Sequence, residues 1–136
     1  MAIHNFKYEE HMNNNFAIYN RILEFRKYTR TYLLVNIPKV HSDIRIHFTD
    51  ESYKLVELLY MAIYTKGNIR YKNITEMLVR ISLLDMLLEE IKELKVVKSN
   101  YIHTTSAMLK EIQNMTFKWK DNEEKKVSMI IYTIKI

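Results

Sequence analysis

Apolar residues recur along the chain at spacings of three and four, the rhythm of helices that bury one face. Tyr19, Ile22 and Leu23 set it in a first segment, and Leu55, Val56, Leu59 and Ile63 in a second. The third is fuller: Ile74, Met77, Leu78, Ile81, Leu84, Leu88 and Ile91 form one stripe, which Val79, Leu83, Leu87 and Leu94 widen. A fourth carries Ile102, Met108, Leu109, Ile112, Met115 and Trp119. Ile37-Pro38-Lys39 and Lys66-Gly67-Asn68 break the pattern sharply, and residues 95–100 break it more weakly. These breaks predict helices over 15–35, 42–65, 70–95 and 100–120. Asn73 and Glu76 have the spacing of a capping box, and Gly67 stands where a helix C-cap would take a left-handed residue.

Helices of this length joined by short connections pack as antiparallel neighbours. The expected fold is all-α, an antiparallel up-down-up-down four-helix bundle over residues 15–120. The apolar width of the third helix has two explanations, a central position touching every neighbour or a subunit interface. Both ends fall outside the bundle. Residues 1–14 form a polar N-terminal extension, frayed or helical. Residues 121–136 comprise a charged linker, Asp121 to Lys126, and a tail, Val127 to Ile136, whose β-branched content predicts a short extended or β-like segment. A strand of that kind needs cover from its own bundle, a sister subunit or a partner.

Composition narrows the function more by exclusion than by suggestion. One Gly, one Pro and no Cys rule out disulfide scaffolds, Cys-ligated zinc, thiol nucleophiles and Gly-rich phosphate loops. At 48% hydrophobic and 27% charged residues the chain is too apolar for disorder, and no apolar run reaches the length of a membrane span, so no membrane partner is expected. The polar start, Met1 to Tyr8, lacks the pattern of a secretory leader, which leads us to expect a cytoplasmic protein. Twenty-one basic against sixteen acidic residues leave a net charge of +5, which favours an anionic partner.

Catalytic chemistry is hard to find. There is no Glu-x-x-His or His-Glu-x-x-His, the five His residues are scattered, and Asp85 has no second acid or His spaced to serve it. Arg45 and His47 stand too close for the Arg-then-His arrangement of small helical ribonucleases. We expect no enzyme, no metal and no cofactor. Basic residues remain. In the expected topology one pole collects Arg26, Arg30, Lys39, His41 and Arg45, with Tyr28 and Tyr32 nearby. The other gathers Lys66, Arg70 and Lys72, groups suited to phosphate contacts or an acidic partner. Interspersed acids such as Glu24 and Asp43 leave an ordinary solvated surface as the plainer explanation.

The string Ile37-Pro38-Lys39 followed by a helix, then Tyr64 to Arg70, then Thr75 to Asp85, resembles the accessory variability proteins of diversity-generating retroelements. These belong to a wider four-helix family that includes proteins encoded in ribosomal RNA intervening sequences. The resemblance runs from about Tyr19 to Lys120 and ends on Asn114-Met115 and Trp119-Lys120; Lys39, Lys66 and Arg70 fall within its strings. It implies a homopentamer with a basic surface, a non-enzymatic partner of the element's reverse transcriptase that also engages template RNA. The alternative from another class is an oligomeric four-helix scaffold that binds nucleic acid nonspecifically and has no polymerase partner.

Overall fold

The computed structural model describes residues 6–135, with side chains placed over residues 17–129. Four long helices make the fold: α1 Phe6–Tyr28, α2 Ser42–Ile63, α3 Gly67–Leu94 and α4 Ser99–Lys135. No strand occurs among the described residues. None of their helices is long and apolar enough to cross a membrane.

α1 does not end at Tyr28. It runs into a π-helical turn, Thr29–Leu33, in which the Leu34 amide donates to the Thr29 carbonyl, and then into a 3-10 turn, Leu34–Asn36. A π turn inserts one extra residue into the helix. The buried stripe therefore runs through Ile18, Ile22, Phe25, Thr29 and Leu33 and steps sideways to Leu34 and Ile37. Ile37 is extended, at φ −83° and ψ 120°, because the following proline ring clashes with a helical predecessor. A second 3-10 turn, Lys39–His41, leads into α2.

The α2–α3 turn is built differently from the sequence expectation. Gly67 does take the left-handed conformation, at φ 60°, but it opens α3 instead of closing α2. The last carbonyls of α2 are satisfied by other groups: the Tyr64 amide donates to Tyr60 O, the Thr65 hydroxyl to Met61 O, and the Arg70 guanidinium to Ala62 O. Asn73 lies inside α3 and caps nothing; its amide donates to the Thr65 hydroxyl across the turn at 3.3 Å. At the far end of α3, Lys95 adopts the left-handed conformation at φ 56° that usually falls to glycine.

α1 packs on α2 and α4, α2 on α3, and α3 on α4. Tyr19 meets Tyr60 while Phe25 stacks on Phe48 at 6.0 Å, so numbering runs in opposite senses along α1 and α2. Arg21–Glu111 and Tyr32–Tyr101 give the same relation between α1 and α4. Every residue of the main α3 stripe is buried, and Leu87 joins it, whereas Leu83 and Leu94 are half-buried and Val79 and Met86 remain about half exposed. Buried hydroxyls cost little because each is satisfied within its own helix: Ser52, Thr105 and Thr116 donate to the carbonyls four residues back.

The largest departure is at the C-terminus. The expected linker and extended tail are the continuation of α4, helical through Lys135; Ile136 lies outside the described residues. Strand propensity is worth only tenths of a kcal/mol per residue, and lengthening an existing helix needs no new nucleus. Glu123, in the middle of the expected linker, is 3% exposed and ion-paired to Arg70, which fastens α4 to the bundle beyond residue 120. At the other terminus α1 starts at Phe6, within the expected polar extension, of which residues 1–5 lie outside the described residues.

The α1–α2 seam carries a titratable marker. The Tyr60 hydroxyl donates to the Tyr19 hydroxyl at 3.3 Å, which, with partial burial, pushes the Tyr60 phenol up to about 12. The ordinary value in an unfolded chain is about 10. Folding thus favours neutral Tyr60, a contribution present in full below pH 10 and lost as the pH rises through 12. Tyrosinate absorbance should show one phenol of the wild type titrating late, and Tyr19→Phe should return it toward pH 10. A Tyr60→Phe chain with an unchanged titration curve would contradict the pairing.

Candidate nucleic-acid interface

The π turn, the two 3-10 turns and the first turns of α2 and α4 meet at one pole of the molecule. Tyr28, Tyr32 and Tyr101 form a ladder there, with ring centroids 4.9 Å and 5.4 Å apart and the second pair stacked at 20°. Arg26 and Arg30 stand four residues apart, on one face of a helix. Arg45 faces them from α2, and the three line one cavity of about 320 Å³. Leu34, Val35 and Tyr53 contribute its apolar surface, and Thr29, Thr49 and Ser52 its hydroxyls. The Arg26 guanidinium lies 4.3 Å over the Tyr53 ring, a cation–π contact that holds it in place while leaving its edge free to bond. Arg26 and Arg30 also line a shallower groove of about 420 Å³ with Lys27 and Thr31.

Of the other expected residues at this pole, Lys39 is exposed and His41 half-buried, both on the short 3-10 turn ahead of α2. Arg26, Arg30 and Arg45 form no ion pair with any described residue.

The second expected cluster divides. Lys66 and Lys72 are exposed, but Arg70 is drawn into the protein. Its Nη1 is 3.2 Å from Glu123 and its Nε donates to Ala62 O at 2.9 Å, so it neutralises a buried carboxylate and terminates α2 at once. These contacts leave Arg70 poorly placed for a phosphate.

Thr49, Ser52, Tyr53 and Tyr101 were not singled out from the sequence. A signal for three of them exists: Arg45, Thr49 and Tyr53 recur at intervals of four, with Ser52 beside them, so they share the α2 face that meets Arg26. Tyr101 had no such signal, because its ring becomes part of the pole only when α4 packs beside the π turn.

No carboxylate is among the side chains lining the cavity, and no grouping of His, Asp or Glu able to hold a metal ion occurs among the described residues. Asp85 is exposed and lines a separate groove with Lys110 and Gln113. Cationic, aromatic and concave, the pole can bind anions and stack flat rings. Compared with protein-family models, with curated proteins and with solved structures, the chain matches none.

Proposed function

We propose that this chain is the non-enzymatic accessory protein of a diversity-generating retroelement: an antiparallel up-down-up-down bundle that assembles into a homo-oligomer and holds template RNA for a reverse transcriptase. The observation that carries the reading is the pole itself, where Arg26, Arg30 and Arg45 converge beside the Tyr28–Tyr32–Tyr101 ladder with no acid on the cavity wall. Guanidinium groups give salt-dependent affinity for phosphate, and exposed rings stack bases without strong sequence preference. Lys39 extends this surface, while Lys66 and Lys72 offer a weaker one at the other end. The sequence resemblance supplies the polymerase and the retroelement; the pole supplies chemistry that suits them. Co-purification with the reverse transcriptase, and template copying with and without this protein, test it.

Assembly is supported by α3, whose Val79, Leu83 and Met86 continue at helical spacing on a face that the neighbouring helices leave partly uncovered. Light scattering should give a single defined oligomer, five times the chain mass if the resemblance extends to stoichiometry. Replacing Val79 and Met86 together with glutamate should reduce that mass while preserving helicity. A wild-type monomer at micromolar concentration would remove the oligomer from the reading.

A further inference from the structure

The six arginines of the chain fall into two sets. Arg21, Arg70 and Arg80 each reach a carboxylate within 3.3 Å, on Glu111, Glu123 and Glu51. Arg26, Arg30 and Arg45 have no carboxylate partner among the described residues, and these are the three that share a cavity. Gathering three like charges in one concavity is unfavourable unless an anion enters it.

We propose that this cavity is a binding site for a terminal phosphate carried on a nucleoside, as in a nucleoside 5′-monophosphate or the 5′-phosphorylated end of an RNA. The assignment deepens the anion-binding part of the reading above and rests on it, but not on the polymerase part. Charge selects a terminal phosphate: a monoester is close to dianionic at neutral pH and can accept from several guanidinium forks, whereas a backbone diester carries one charge and suits an open groove. Size selects more than phosphate. About 320 Å³ lies at the lower end of the range for small-molecule sites, roughly 300–1,000 Å³, and leaves room for an attached body against Leu34, Val35 and Tyr53.

The hydroxyls define what that body must offer. Thr29 donates its proton to Arg26 O, Thr49 to Arg45 O and Ser52 to Phe48 O, at 3.1, 2.9 and 2.9 Å. Their protons being committed, the hydroxyls of these three lining residues have only acceptor capacity left to offer, the complement of ribose hydroxyls and exocyclic amines. The π turn at Thr29–Leu33 sets this wall, the kind of helix irregularity that recurs at functional sites.

Isothermal titration calorimetry of the full chain at low salt tests the assignment, with AMP, adenosine and a short single-stranded RNA bearing either a 5′-phosphate or a 5′-hydroxyl. AMP should bind and adenosine should not. Arg45→Gln and Arg30→Gln, each checked for unchanged helicity, should each weaken AMP about tenfold, the loss expected for one charge-assisted contact. Displacement of AMP by the 5′-phosphorylated RNA alone assigns the site to RNA ends, and retention of AMP against both RNAs assigns it to a free nucleotide. Equal displacement by both RNAs overturns the terminal phosphate, as does the absence of AMP binding at millimolar concentration or an unchanged affinity in both variants. A copying complex that works normally while AMP fails to bind would remove this site and leave the accessory role standing.

Discussion

Replacing Arg70 with alanine should destabilise the protein by about 3 kcal/mol, the lower end of the range for breaking a buried ion pair from one side. The Arg70 and Glu123 side chains are 13% and 4% exposed, so water screens the pair poorly. Truncation leaves the Glu123 carboxylate buried with only Lys126 at 3.5 Å, itself two-thirds exposed, and takes from Ala62 O its shorter hydrogen bond at the end of α2, leaving the Thr65 hydroxyl at 3.5 Å. For a chain of 136 residues the change corresponds to a fall of about 10 °C in the thermal midpoint. Arg70→Lys should recover part of the loss, since an ammonium keeps the charge but cannot serve Glu123 and the α2 carbonyl through one planar fork. Replacing both partners with apolar residues of similar volume, Arg70→Met with Glu123→Leu, should restore most of the stability. A loss below about 1 kcal/mol on Arg70→Ala, or additive losses when Arg70→Ala and Glu123→Ala are combined, would show that the pair does not fasten α4 to the α2–α3 turn. The result also bears on nucleic-acid binding: tests of that end of the molecule belong to Lys66 and Lys72 alone, because any variant lacking Arg70 mixes lost charge with lost structure.

The helices themselves were legible because their core is periodic. Ile74, Met77, Leu78, Ile81, Leu84, Leu88 and Ile91 repeat at helical spacing, and all seven are buried. Where periodicity gave way to local composition, the outcome depended on distant partners. The sequence predicts a left-handed Gly67, as observed, but not that it opens α3, because α2 is terminated by Thr65 and Arg70. The tail was expected to be extended from its β-branched residues, a preference outweighed by helix continuation and by the Glu123 anchor. The π turn had no sequence signal at all: Leu33 and Leu34 are both apolar, and only packing requires both to be inside. Much the same division runs through the candidate site. Arg26, Arg30 and Arg45 follow from charge and the order of the helices, whereas a cavity lined by hydroxyl side chains and a braced guanidinium depends on the π turn and on Tyr53 about three helical turns into α2.

If the proposed accessory role holds, omitting this protein from a reaction of its partner reverse transcriptase with template RNA should abolish most of the copying, and the protein alone should copy nothing. In the proposed role the cationic pole would contribute by positioning, its guanidinium groups holding phosphate and its rings stacking bases. Charge reversal separates positioning from folding. Lys39→Glu combined with Arg45→Glu adds two repulsive charges to a surface that makes no carboxylate contact, so helicity and thermal midpoint should hold. Counting each reversal as about tenfold, binding of the polymerase–RNA complex should weaken roughly a hundredfold. Raising salt should mimic part of this effect in the wild type and do less in the variant, which has fewer counterions to release. Lys66→Glu with Lys72→Glu provides the contrast at the other end, with a smaller loss expected because neither lysine lines the arginine cavity. If the polymerase does not co-purify with the wild-type protein and copies equally well without it, the accessory role is excluded. RNA binding that survives with the same salt dependence would then identify the chain as an oligomeric scaffold with nonspecific affinity for nucleic acid.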